Sequence, residues 1–153
     1  MKTLKTAALC ALLTFCITTA SAQLHASTKE TVRKPRLFYD LTQRMALSKH
    51  ALAPLLQKEI GEKVSVPMAG AFTFTGMVVS KSDASETRSK TVVIKSADRP
   101  GAALTITGIA NGDGTYRYSG RMLSLRHSDA YEMLEEAGEL QLQKTELSDL
   151  VSE

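Results

Sequence analysis

Cysteine occurs only at positions 10 and 16 of the 153-residue chain, tryptophan is absent, aromatic residues make up 5% and histidine appears three times. Each scarcity removes a class of chemistry. Both cysteines fall in an N-terminal segment with the anatomy of a secretory signal. Lys2 and Lys5 open it, Ala7 to Ile17 is apolar apart from Thr14, and Ala20-Ser21-Ala22 supplies the small residues a signal peptidase accepts. Residues 1–22 are therefore expected to be a signal peptide cleaved before Gln23. The apolar run is shorter than the ~20 residues a bilayer span needs, so no transmembrane span is expected. Phe15 is too bulky to precede a lipidated Cys16. The expected destination is the periplasm or the extracellular space. With both cysteines gone, the mature chain has no disulfide, no thiolate metal site and no cysteine nucleophile.

A mature chain of ~130 residues forms one domain and buries roughly two thirds of its unfolded surface, so it must hold itself by its core alone. Loss of Lys2 and Lys5 takes Lys/Arg from 19 to 17 against 16 Asp/Glu, close to neutral. The distribution is uneven: Gln23 to Met68 holds eight basic and four acidic residues, Gly120 to Glu153 three basic and eight acidic. That asymmetry implies either pairing between the two ends or a basic face for an anionic lipid or polymer. No basic–aromatic stripe occurs, which argues against nucleic acid as a partner.

Along the chain, residues 23–36 read as a flexible basic arm ending in Arg33-Lys34-Pro35-Arg36. Residues 37–62 read as a helical segment and link. Leu41, Met45 and Leu52 recur at near-helical spacing behind Asp40 as N-cap, which predicts a helix from Asp40 to Ala51, with Pro54 barring its continuation. From Lys63 the period becomes two: Val64 and Val66; Phe72, Phe74, Gly76 and Val78; Leu104 and Ile106; Tyr116, Tyr118, Gly120 and Met122; Leu140 and Leu142. Thr91-Val92-Val93-Ile94 is β-branched throughout. Turn chemistry divides these runs at Ser82–Ser85, Asp98–Gly101, Asn111–Gly114, Arg126–Asp129 and Ala137-Gly138. The spacing leaves no room for crossover helices. The fold class is mainly β, or α+β: residues 63–145 form an antiparallel meander of about seven strands, curled into a small barrel or covered by the one N-terminal helix, and residues 146–153 form a C-terminal tail. Gly76 and Gly120 fall where a side chain would point with the apolar set, which predicts strong curvature or close backbone approach there.

Catalytic and metal chemistry find little support. His25, His50 and His127 lack the spacing of a zinc site. His127-Ser128-Asp129 cannot form a triad, because consecutive residues on one turn do not converge. Asn111-Gly112-Asp113-Gly114 has one carboxylate, too few for calcium, and suits a hairpin turn. Glu132, Glu135, Glu136 and Glu139 flank a turn and are expected to be solvated rather than an acid–base pair. Arg117, Ser119 and Arg121 share the polar face of one strand. The two arginines, with Tyr118 between them, are the candidate binding residues, as a clamp for a carboxylate or phosphate or as cross-strand partners of acidic residues. No catalytic, metal-ligating or cofactor-binding residue is expected, and no cofactor.

The strand sequence Phe74-Thr75-Gly76-Met77-Val78, Ala103-Leu104-Thr105-Ile106, Gly114 to Met122, Ala130 to Leu134 and Gly138 to Leu142 resembles the β module of N-terminal prodomains of secreted zinc metallopeptidases. The resemblance covers about Val64 to Lys144. It implies a free-standing module that binds a peptidase or folds beside one, and no catalytic residue carries over. No catalytic domain is expected to follow in the same chain, and no cysteine is expected to survive in the mature chain to cap a zinc. Three function classes therefore stand: an exported non-catalytic β module that binds a protein partner such as a secreted peptidase; a small apolar-ligand or lipid binder using Phe72, Phe74, Tyr116, Tyr118 and Met122; and, least supported, a hydrolase with His127 as base.

Overall fold

The computed structural model describes residues 34–151. The expected signal peptide and most of the arm lie outside them. Eight strands form a single antiparallel sheet: β1 (Arg44–Leu47), β2 (Lys63–Pro67), β3 (Thr73–Ala84), β4 (Ser89–Ser96), β5 (Ala103–Ala110), β6 (Tyr116–Leu123), β7 (Asp129–Glu136) and β8 (Glu139–Glu146). The spatial order is β1-β8-β7-β6-β5-β4-β3-β2. The meander curls into a half-barrel, and the loop after β2 meets β1 through one hydrogen bond, Ala69 N–H to the Ala46 carbonyl (3.0 Å).

The period-two sequences fill the inside. Val66, Phe74, Val78, Ile94, Leu104, Ile106, Met122, Tyr131 and Leu142 are buried in one cluster. At Gly76 and Gly120 the backbone of a neighbouring strand lies close. A Cβ on Gly76 would run into the Lys95 carbonyl, and one on Gly120 into the Thr105 carbonyl, each on the neighbouring strand. Curvature at both glycines thus has a steric basis. Bulged pairing between Val78 and Ser80 adds a further bend in β3.

The segment before β2 differs from the expected helix over Asp40–Ala51. Arg44–Leu47 is strand β1, paired with β8 from Arg44↔Gln143 to Leu47↔Leu140. Only Lys49–Leu52 is α-helical (α1), followed by a 3₁₀ turn at Ala53–Gln57 that carries Pro54 in its first turn, where a missing N–H is harmless. Met45 and Leu47 decide the outcome. Two residues apart, both are buried, which a strand achieves and a helix, turning ~200° between them, does not. Asp40 is not a helix cap; its carboxylate binds Arg99. The α1–3₁₀ segment drops Leu52, Leu55 and Leu56 into the core, with Leu56 over Gly108, where any Cβ would collide with it.

The end of the basic arm is held in place. Lys34 Nζ donates to the Leu125 carbonyl, the Ser128 N–H to the Pro35 carbonyl, and Arg36 pairs with Glu146 (2.9 Å). Lys49–Glu135 and Arg44–Glu136 also join the basic N-terminal part to the acidic C-terminal part, so pairing between the ends accounts for part of the charge asymmetry. The tail begins as the last residue of β8 and continues as α2 (Leu147–Val151), anchored by buried Leu147.

Candidate functional site: a gap between β6 and β7

Every strand is paired along most of at least one neighbour, but the ladder between β6 and β7 holds only three residue pairs: Arg121↔Glu132, Met122↔Tyr131 and Leu123↔Ala130. Continued at that register, Gly120 would face Met133, Tyr118 would face Glu135 and Arg117 would face Glu136. None of these pairs forms. On β7, Glu135 pairs with Lys49 at the start of α1 (2.5 Å), and Glu136 with Arg44 on β1 (3.8 Å). On the other side, Tyr116 and Tyr118 pack against one another at 6.0 Å and lean towards Gly108. Gly120 marks the point of separation, and the Met133 side chain lies over it.

The result is a groove of about 750 Å³ at that end of the sheet. Asn111 and Thr115 from the β5–β6 turn, Tyr116 and Arg117 from β6, and Lys49, Glu135 and Gly138 opposite form its walls. In an antiparallel sheet alternate residues aim their N–H and C=O at alternate neighbours. Every second residue of 116–120 and of 133–136 therefore directs backbone groups towards the groove, and none of these residues has a partner in the β6–β7 ladder. Unpaired strand edges are templates for another extended chain.

The three candidate residues separate in space. Arg117 is exposed on the rim of the groove, Tyr118 is buried beneath it, and Arg121 lies beyond it, where β6 rejoins β7 opposite Glu132. Arg117 and Arg121 are four residues apart on a strand, with their Cα atoms about 13 Å apart. Burial in apolar surroundings, with Tyr116 beside it, raises the Tyr118 phenol above its ordinary value. The groove itself went unread in the sequence; its only local sign is glycine at position 120.

The other candidate chemistries resolve into structure. His127 Nδ1 and Ser124 Oγ lie 2.9 Å apart within one turn, and Asp129 does not orient them, because its two oxygens accept the backbone N–H groups of Leu37 and Phe38. Asp113 accepts from both the backbone N–H and the hydroxyl of Thr115, bonds that lower its pKa and close the hairpin. His50 is exposed on α1 and His25 lies outside the described residues. Phe74, Tyr118 and Met122 belong to the core, Phe72 packs against it beneath Arg99, and Tyr116 is half-buried at the groove. Among the described residues no His/Cys/Asp/Glu cluster could hold a metal, and no helix is long and apolar enough to cross a membrane. No protein-family model, curated protein or solved structure matches the chain.

Proposed function

We propose that the chain is an exported, non-catalytic β module that binds a protein partner by taking an extended segment into the gap between β6 and β7. The observation that carries this reading is the three-pair β6–β7 ladder, which leaves residues 116–120 and 133–136 outside the pairing of the two strands along both walls of the groove. Strand addition draws its affinity from backbone groups and its specificity from adjoining side-chain sites. Here those sites are Tyr116 and the rim charge of Arg117, which has no ion-pair partner among the described residues. The signal-like residues 1–22 support export, and the resemblance to prodomain β modules supports a secreted peptidase as the partner class.

The test is capture from the native secretome with purified protein at micromolar concentration, repeated with Arg117→Glu and, as a control at the far end of the sheet, Arg126→Glu. The expected outcome is a partner retained by wild type and Arg126→Glu and lost by Arg117→Glu, with amide exchange slowed at 116–120 and 133–136 in the complex. Failure to recover a partner, or equal recovery by all three proteins, overturns the reading.

A further inference from the structure

The convex face of the sheet across β2 to β6 is cationic, and its five strands contribute no carboxylate to it. Register and alternation place Lys63 and Ser65 of β2, Thr75 and Met77 of β3, Thr91, Val93 and Lys95 of β4, Thr105 and Thr107 of β5, and Arg117, Ser119 and Arg121 of β6 on that side. Among the described residues, no Asp or Glu of these five strands points outward with them; Asp83, the one acidic residue in the set, lies on the opposite alternation and pairs with Lys90. Among the described residues, none of Lys63, Lys95, Arg117 and Arg121 is in an ion pair. Three carboxylates from outside these strands adjoin the face. Asp98 in the β4–β5 turn accepts from Thr75 Oγ1, Glu132 faces Arg121 from β7, and Glu62 beside Lys63 is neutralised by Lys58.

The centre of this face is a row in which Lys63, Met77 and Lys95 lie side by side on three adjacent strands. At ~4.8 Å between strands, the two lysines stand about 10 Å apart with Met77 between them. Met77 and Val79 are 43% and 44% exposed, and with both lysines they line a shallow depression of about 420 Å³. Ile60, 64% exposed, precedes the same edge. Cations flanking exposed aliphatic side chains match a bilayer interface, where the ammonium groups meet anionic headgroups and the apolar groups enter the acyl boundary. The face carries no aromatic residue; Tyr116 and Tyr118 point inward. It therefore lacks the stacking platforms that single-stranded nucleic acid uses.

We propose that the β2–β3–β4 face, with Lys63, Lys95, Met77 and Val79 at its centre, docks the protein on an anionic phospholipid surface. This face is separate from the β6–β7 gap, and its occupation does not require the proposed peptide binding.

The test is flotation of purified protein with vesicles of phosphatidylcholine alone or mixed with phosphatidylglycerol. Binding is expected to the mixed vesicles only, and to be lost as salt rises from about 0.01 M to about 1 M, which shortens the screening length from ~30 to ~3 Å. At about 1 kcal/mol per basic side chain near the surface, Lys63→Gln and Lys95→Gln should each weaken binding about fivefold, and the pair about 25-fold. Met77→Ser with Val79→Ser should weaken it with all charges kept. These side chains are exposed, and circular dichroism of each variant is the check that it folds. Equal binding to both vesicle types, no binding to either, or undiminished binding by the double lysine variant overturns the proposal. Duplex DNA bound as tightly as the mixed vesicles, together with no effect of the Met77/Val79 change, would identify a general polyanion face and overturn it likewise.

Discussion

The buried carboxylate of Asp129 accepts the backbone N–H groups of two consecutive residues, Leu37 (2.7 Å) and Phe38 (2.8 Å), 91 residues away from Phe38 in the chain. Phe38 is fully buried, edge-on to Tyr131 at 5.7 Å. The segment ahead of β1 thus crosses the end of the half-barrel as a strap, with Phe38 closing the core. Lys144 Nζ donates to the Phe38 and Leu41 carbonyls, and the Arg99 guanidinium donates to the Leu37 carbonyl. Replacing Asp129 with Ala leaves two N–H groups without acceptors, each costing ~1–3 kcal/mol. Asp129→Ala is expected to lose about 2–4 kcal/mol in urea denaturation, and Asp129→Asn, which keeps one acceptor oxygen, roughly half of that. A loss below about 0.5 kcal/mol in Asp129→Ala would show that the strap is not held by this carboxylate.

Arg99 gives the strap a pH dependence. It grips both oxygens of Asp40 (2.9 and 2.7 Å) while lying over the rings of Phe38 and Phe72. The guanidinium hydrogen bonds hold the Asp40 carboxyl below its ordinary value. A carboxyl depressed in the folded state stabilises the fold above the unfolded pKa of about 3.9 and loses that contribution as pH falls through the folded value. Because Asp40 is half-exposed, the contribution is at most about 1 kcal/mol. Asp40→Asn is expected to lower the urea midpoint at neutral pH and to converge with wild type below about pH 3. Curves separated equally at both pH values would contradict the assignment.

The three inward-facing glycines rank by what a Cβ would meet. At Gly76 and Gly120 it meets a neighbouring strand's carbonyl, which cannot move without breaking the ladder; at Gly108 it meets the end of the Leu56 side chain. Gly76→Val and Gly120→Val are each expected to lose several times the ~1 kcal/mol span of β-propensity, and Gly108→Ala about 1–3 kcal/mol. Chemical denaturation of the three variants checks the order. Unchanged stability in the two valine variants would show an open, flat sheet at those positions.

What the sequence made legible was local. Alternation marked the strands of the β domain, and the Asn111–Gly114 and Ala137-Gly138 turns fall where their residues place them; Ala137 and Gly138 both have positive φ, 51° and 84°, as a tight two-residue hairpin requires. The β3–β4 turn comes later than Ser82–Ser85, at residues 85–88. There β3 outruns the core as a polar ribbon, and pairing rather than burial sets its length. β1 was misread because Leu41, Met45 and Leu52 fit a helical period, while the free edge of β8 that captures Arg44–Leu47 lies almost 100 residues downstream. The β6–β7 gap was invisible for the same reason. It lies where Glu135 and Glu136 pair with Lys49 and Arg44, two long-range pairs with no local signature.

Tyr131 offers a test of the strap at the opposite end of the pH scale. Its side chain is fully buried and its hydroxyl donates to the Thr42 carbonyl at 2.5 Å, two residues before β1. Burial, reinforced by the nearby carboxylates of Asp129 and Asp40, pushes the phenol up to about 12. The sign follows from proton binding. Between an ordinary value of about 10 and the folded value, the unfolded chain gives up the phenolic proton and the folded chain keeps it. Stability is therefore complete below about pH 10 and declines as pH rises towards the folded value. Tyr131→Phe deletes this titration together with the bond to Thr42. At neutral pH the variant is expected to be less stable by about 1–2 kcal/mol, for a lost hydrogen bond and an unpaired carbonyl. Between pH 10 and 11 its urea midpoint should fall less steeply than that of wild type, so that the difference between the two proteins narrows. A difference that stays constant or widens over that interval would mean that Tyr131 ionises as readily in the folded protein as in the unfolded chain, and that the strap does not seal this end of the core.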